Sequence, residues 1–349
     1  MQLKENQPLA PLTTFGIGGP ARWFVEAARE EEIWEACAWA RGRRVPLFVL
    51  GGGSNVLVAD EGFAGLVLHV GLKGIERDGE VFRVAAGEDW ERCVQRSIDD
   101  GCAGLECLAG IPGTAGGTPV QNVGAYGQEV ASVIERVRAF DMTESRVVEF
   151  TNAECGFAYR RSRFNLTDRG RYIVTRVDYR LHENGAPLIA YHDLKVNFEG
   201  WTKAPTLAEV AAAVRSIRLS KGMLLVEGDP DCRSAGSFFK NPAVTEEVAD
   251  RVRQIAASAG VPVRIFPTND GRVKIPAAWL IEQAGFAKGF RMGAAGISSR
   301  HTLALVNCGD SRGGARAEEI LALAEKIQAA VEARFRIQLE REPMLVGFA

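Results

Sequence analysis

Histidine is scarce in this sequence, and its cysteines form no recognisable pattern. The four histidines, His69, His182, His192 and His301, include no pair at zinc-ligand spacing, and the seven cysteines are odd in number, scattered and without a CxxC. No metal and no disulfide framework are expected. A reducing cytoplasm is the compartment that fits. An excess of one charge is also missing: 42 Lys plus Arg stand against 44 Asp plus Glu, a net charge of −2. That gives no general attraction to nucleic acid or to an anionic membrane, so neither is expected as a partner. No uninterrupted apolar run approaches the ~20 residues that a membrane helix needs. The opening MQLKENQPLAPL lacks the apolar h-region of a signal peptide.

Familiar nucleotide motifs are absent or misplaced. Residues 13–21, TTFGIGGPA, match a dinucleotide fingerprint literally, but Pro8 and Pro11 precede them and the strand-like RWFVEA follows. A Rossmann turn needs a strand before and a helix after, so a tight turn is expected here. The GGGSN of residues 51–55 ends an apolar run and leads into Val56-Leu57-Val58, so it is neither a Walker loop nor a Rossmann turn.

What is present is a chain of 349 residues, long enough for two or three domains, with 46% apolar and 25% charged residues. Its centre is the uncharged stretch GIPGTAGGTPVQNVGAYG at residues 110–127, with six glycines and two prolines. Such a segment cannot form a core. It can bring backbone N–H groups close to a large anion, as one wall of a cofactor site. Around it the periodicity predicts helices at 29–41 and 90–99 and strands at 45–50, 66–70, 81–85, 133–141, 147–150 and 172–181. Residues 184–201 read as irregular. Thr206 and Glu209 form a capping box that opens a helix to 218, and a domain boundary is placed just before it. Helices at 246–259, 276–284 and 315–334 and strands at 237–239, 302–306 and 337–340 follow, giving an α+β pattern and not a regular βαβ series.

Six motifs in fixed order, TTFGIGG at Thr13, GGGSN at Gly51, AGIPGTAGG with QNVGAYG from Ala109, YRRSRF at Tyr159, GSFFKNP at Gly236 and LERE at Leu339, span nearly the whole chain. In these the sequence resembles the UDP-N-acetylenolpyruvoylglucosamine reductases, the flavin reductases of peptidoglycan synthesis. The resemblance implies a flavin-binding fold of the vanillyl-alcohol oxidase type in two subdomains, 1–68 and 69–204, followed by an α+β substrate-binding domain, 205–349. It implies FAD held by Gly51, Gly52, Gly53, Ser54 and Asn55 and by Gly110, Ile111, Pro112, Gly113, Thr114, Gly116, Gly117, Asn122, Gly124, Tyr126 and Gly127. The loops contain no histidine that could tether the flavin covalently.

The resemblance further implies that NADPH supplies the hydride and that a nucleotide-sugar enolpyruvyl ether is the substrate. After flavin N5 delivers hydride to C3, Ser237 gives a proton to C2. Arg160 clamps the carboxylate, and Glu342, kept protonated or sharing a proton by burial, favours an enol. Lys221 and Asn241 match positions for the substrate phosphates. Tyr191 matches the tyrosine of a loop that closes on substrate in one subtype. The family pattern is LE-x-E with the second glutamate catalytic, which implies Glu342 over Glu340, although Arg341 stands where proline is common. The chain is expected to be monomeric. Two other readings stay open: an FAD-dependent oxidase or dehydrogenase of a small hydroxylated substrate, and a nucleotide-binding protein without turnover. GSFFKNP and the Glu342 tail weigh against the first, and intact Arg160, Ser237 and Glu342 against the second.

Overall fold

A computed structural model describes residues 1–268, 270–309 and 313–348. The chain divides into two compact units, the first of Met1–Gln7, Ala21–Gly53 and Phe63–Ser220, the second of Pro8–Pro20, Ser54–Gly62 and Lys221–Ala349. Among the described residues no helix is long and apolar enough to cross a membrane.

The first unit begins as strand, helix, strand. Helix Glu30–Arg43 carries Glu30, Glu31 and Glu32 in its first turn and Arg41 and Arg43 in its last, which suits the helix dipole. Ile33, Ala36, Cys37 and Ala40 share its buried face. Strands Pro20–Ala27 and Leu47–Leu50 flank that helix in sequence and pair in parallel with either side of Phe63–Val70. With Lys4–Pro8 on the edge they make a four-stranded sheet. A second sheet of five antiparallel strands runs in the order Arg146–Thr151, Ile134–Asp141, Tyr172–Arg180, Val81–Ala85, Ile75–Asp78. Helix Trp90–Asp99 is capped by Asp89, which accepts from the Arg92 N–H at 2.9 Å. One core joins Ile33 and Leu66 to Phe82, Trp90 and Val177. Helix Leu207–Ser220 opens with the expected capping box and places Val210, Ala211 and Val214 in that same core. The first unit thus runs on to Ser220, past the expected division at 204/205.

The second unit has an antiparallel sheet ordered Ser234–Ser237, Ala304–Asn307, Ala295–Ile297, Arg291–Met292. Its core takes Ile320, Leu323, Ile327 and Val331 from helix Ala317–Phe335, together with Phe238 and Leu280. Phe15 and Ile17 of TTFGIGG are buried in it, and the Phe15 ring meets Phe238 edge-on at 6.3 Å. The tight turn expected there is formed, with Gly16 at φ 63, and strand Pro20–Ala27 follows it.

Three expected elements are corrected. Residues 337–340 are not a strand: Ile337 and Leu339 are buried, which mimics strand alternation, but the backbone has no ladder and only Arg341 forms an isolated bridge, to Phe239. The strand here is Met344–Val346, parallel to Val56–Val58. Residues 184–201 are not wholly irregular, since they hold helix His192–Asn197, too short and too polar to show a period. The strand expected at 237–239 lies at Ser234–Ser237, because Phe238 and Phe239 are both buried, which simple alternation does not allow.

Candidate active site

In the first unit the two glycine segments form one wall. A Cβ on Gly52 would lie 2.5 Å from Gly113 Cα, and one on Gly51 would lie 3.2 Å from the Thr114 hydroxyl, so the backbones touch where side chains would separate them. The N–H groups of Gly52, Gly53, Gly113 and Thr114 have no acceptor among the described residues. Unpaired amides where two glycine segments come into backbone contact are what a flavin pyrophosphate needs, so these residues fit FAD. The wall is braced from below. Tyr179, fully buried, lies 2.7 Å from the Thr118 hydroxyl and donates to the Ala115 carbonyl at 3.2 Å, fixing the short helical turn Ala115–Gly117. A Gly52→Val protein should fold but purify without colour. It should take up added FAD at least ~10-fold more weakly, about 1.4 kcal/mol, in a flavin titration.

QNVGAYG and YRRSRF are tied together. Strand residues Gly124–Ala125 and Gln128–Glu129 pair around Tyr126 and Gly127, both left-handed at φ 50 and 87, as a two-residue hairpin of this kind requires. Arg160 is also left-handed, φ 55, within the turn that Ala158 and Arg161 close with mutual 3.0 Å bonds. Asn122 donates to the Ala158 carbonyl at 3.1 Å and to Glu129 at 2.8 Å, and accepts from Ala131. Ser162 donates to the Val120 carbonyl at 2.6 Å, and Arg160 Nη2 to the Gly124 carbonyl at 2.9 Å. A strained conformation held by this many bonds presents the guanidinium in one place. The side chain of Asn122 is spent on that turn, so it shapes the wall by position. Tyr191 is 43% exposed and meets Tyr126 edge-on at 5.5 Å.

In the second unit Ser237 ends its strand at a bulge. Ser234 pairs with Val306 but Ser237 with Ala304, and Gly236 between them adopts φ 70, open to glycine at little cost. The bulge re-aims the serine just before the two buried phenylalanines. The LERE tail lies alongside: the Glu342 N–H donates to the Phe238 carbonyl at 2.9 Å and the Lys240 N–H to the Glu340 carbonyl at 2.9 Å. The two glutamates are thereby distinguished. Glu340, 58% exposed in its side chain, pairs with Lys240 at 2.5 Å, whereas Glu342 is half-buried next to the residue after Ser237. Asn55 donates to the Glu342 carbonyl at 3.3 Å and accepts from the Met344 N–H at 3.0 Å, so this expected cofactor residue also fixes the tail. Ser54, half-buried, precedes it in this unit. Asn241 accepts from the Ala277 N–H at 2.8 Å, and its amide nitrogen has no acceptor among the described residues. Lys221 is half-buried directly after helix Leu207–Ser220.

Sequence reasoning missed Arg218. It is 6% exposed and donates to the Gly110 carbonyl at 3.0 Å, while Glu91 accepts from the Gly110 N–H at 2.5 Å. Burial lowers its pKa from the usual arginine value, against the pull of its hydrogen-bonded neighbour Tyr126 and of Glu91. Its position on the apolar face, four residues after Val214, is the signal that could have marked it.

A parallel and an antiparallel sheet on one core, with a glycine wall of unpaired amides, define a flavoprotein of the vanillyl-alcohol oxidase type. Residues 21–151 match the family described as FAD binding domain. Residues 229–346 match the family described as UDP-N-acetylenolpyruvoylglucosamine reductase, C-terminal domain. The enzyme of that name from Streptomyces coelicolor is 44% identical, covering 100% of this chain and 91% of its own length. Its Thermobifida fusca counterpart is 45% identical, with 98% of each chain covered. The crystal structure of UDP-N-acetylenolpyruvylglucosamine reductase from Thermus caldophilus is similar at a TM-score of 0.67 and 28% identity, over 99% of this chain and 98% of that one. The chain belongs to the UDP-N-acetylenolpyruvoylglucosamine reductase family.

Proposed function

We propose that the chain reduces UDP-N-acetylglucosamine enolpyruvate to UDP-N-acetylmuramate with NADPH and FAD, in the synthesis of peptidoglycan precursors. The observation that carries this is the full-length likeness to enzymes of that name, in which neither the FAD-binding part nor the C-terminal part is missing. Bound FAD supplies hydride transfer, from NADPH to C3 of the enolpyruvyl group. Residues of the chain manage charge and protons. Hydride addition beside a carboxylate places negative charge on C2 and the carboxylate, and donors are needed there. Arg160 binds the carboxylate through two parallel N–H bonds, a geometry that its planar fork allows and that a lysine lacks. Ser237 donates its hydroxyl proton to C2, forming the new C–H bond, and solvent restores the proton. Glu342 stabilises the enolic form from beside Phe238. Lys221 and the free amide nitrogen of Asn241 take the phosphates, and Tyr191 closes on the nucleotide, as in the subtype with that loop.

Within this reading, residues 1–68 and 69–204, together with helix Leu207–Ser220, serve as FAD-binding subdomains, and the chain from Lys221 onward serves as the substrate-binding domain, in a cytoplasmic monomer. The test is direct. Incubation with NADPH and the enolpyruvyl nucleotide should yield a product heavier by two hydrogens in mass spectrometry, and acid precipitation should release intact FAD. Flavin that stays on the denatured chain, or a substrate left unchanged, contradicts the assignment.

A further inference from the structure

Glu106, 1% exposed, is used on both oxygens. It accepts from the Gly104 N–H at 2.7 Å, the Gln128 side-chain amide at 3.2 Å and the Leu188 N–H at 2.9 Å. Gln128, 6% exposed, accepts in turn from the Cys107 N–H at 2.9 Å. The Cys107 thiol donates to the Leu188 carbonyl at 3.1 Å, and burial pushes that thiol up to about 12, so it stays a donor. Two consecutive side chains therefore hold both backbone polar groups of one residue, Leu188.

Only Ile189 and Ala190 separate that clamp from Tyr191. Beyond Tyr191, helix His192–Asn197 is pinned by the fully buried Leu194. Beneath the ring lies the Tyr126–Gly127 turn, close enough that a Cβ on Gly127 would meet Ala190 Cβ at 3.4 Å. Gln128, which bonds Glu106, also pairs with Ala125 in that hairpin. The clamp and the platform under Tyr191 are thus one hydrogen-bonded piece.

We propose that Glu106 and Gln128 are positioning residues for substrate closure, which hold Tyr191 in register over the Tyr126–Gly127 hairpin so that the nucleotide sugar meets an ordered ring. The proposal rests on the reading of Tyr191 as a substrate-closing residue. If the clamp is loosened, the fraction of molecules with Tyr191 in place falls, and apparent substrate affinity falls by the same factor.

The holoenzyme tests this with Gln128→Met, which keeps the volume and removes the link, and with Glu106→Gln, which keeps the shape and turns one acceptor into a donor. Each should raise KM for the enolpyruvyl nucleotide about tenfold, the factor carried by one lost hydrogen bond to a charged group. The rate of FAD reduction by NADPH and the flavin content should stay at wild-type values, and kcat within about twofold. On a Tyr191→Ala background Gln128→Met should change KM no further. An equal rise on that background, an unchanged KM in both variants, or loss of flavin from both would overturn the proposal. If Tyr191→Ala alone left KM unchanged, the reading of Tyr191 would fail first.

Discussion

Ser237→Ala should leave the reduction of bound FAD by NADPH at its wild-type rate and slow the reaction with the enolpyruvyl nucleotide by ~10²–10⁴-fold, the usual worth of a positioned general acid. With Ser237 as the proposed proton donor, the two halves separate because its proton is needed only when C2 gains its hydrogen. The structure makes alanine a clean probe. The strand pairing of Ser237 with Ala304 and the 2.8 Å bond from the Phe238 N–H to the Leu303 carbonyl use the backbone alone. The Ser237 hydroxyl has no hydrogen-bond partner among the described residues, so its removal leaves no buried group unsatisfied. Ser237→Cys should keep more activity than alanine, since a thiol also donates. Rapid-mixing absorbance with NADPH and then with substrate reads both halves. Equal slowing of the two would make Ser237 a residue that positions the cofactor or the fold.

Arg160→Lys should keep the fold and lose ~10–10²-fold in the rate with substrate, about what one charge-assisted hydrogen bond contributes. The turn that carries Arg160 is closed by backbone bonds between Ala158 and Arg161 and braced by Asn122, none of which involves the guanidinium. A lysine brings the charge but not the planar fork, so the carboxylate loses one of its two parallel bonds. Single-turnover reoxidation by substrate is the measurement. A near-wild-type rate would move the clamp to another arginine of YRRSRF.

Local signals in the sequence were reliable where chemistry and period agree. Strand Val81–Ala85 and helices Trp90–Asp99 and Glu246–Ala259 have the bounds their patterns give, helped by the Asp89 cap and by Gly260, which is left-handed at φ 66. Legibility failed where the partner is distant. Nothing near Asn55 suggests that its amide would reach a carbonyl 287 residues away at Glu342, or that Phe15 would pack on Phe238. Burial without period hid the strand shift at Phe238 and Phe239, and a mimicry of alternation at Ile337 and Leu339 produced a strand that does not exist. The candidate site residues come from motifs, which name residues but not their supports. Asn122 is named for the cofactor, yet its side chain is used on the Ala158–Arg161 turn; Arg218 and Glu106 are supports no motif names, and a polar residue that is about to be buried looks, in one sequence, like a polar residue on the surface.

In the proposed reaction electrons pass from NADPH through FAD to an enolpyruvyl nucleotide. Anaerobic mixing with one equivalent of NADPH, followed by one equivalent of UDP-N-acetylglucosamine enolpyruvate, tests it in a single cuvette. The flavin absorbance should bleach with NADPH and return on addition of the nucleotide, with one UDP-N-acetylmuramate formed per flavin, because each hydride transfer moves two electrons. Bleaching that oxygen reverses but the nucleotide does not would mark an oxidase or dehydrogenase of another substrate, and absence of bleaching would leave a binding protein; either result contradicts the account.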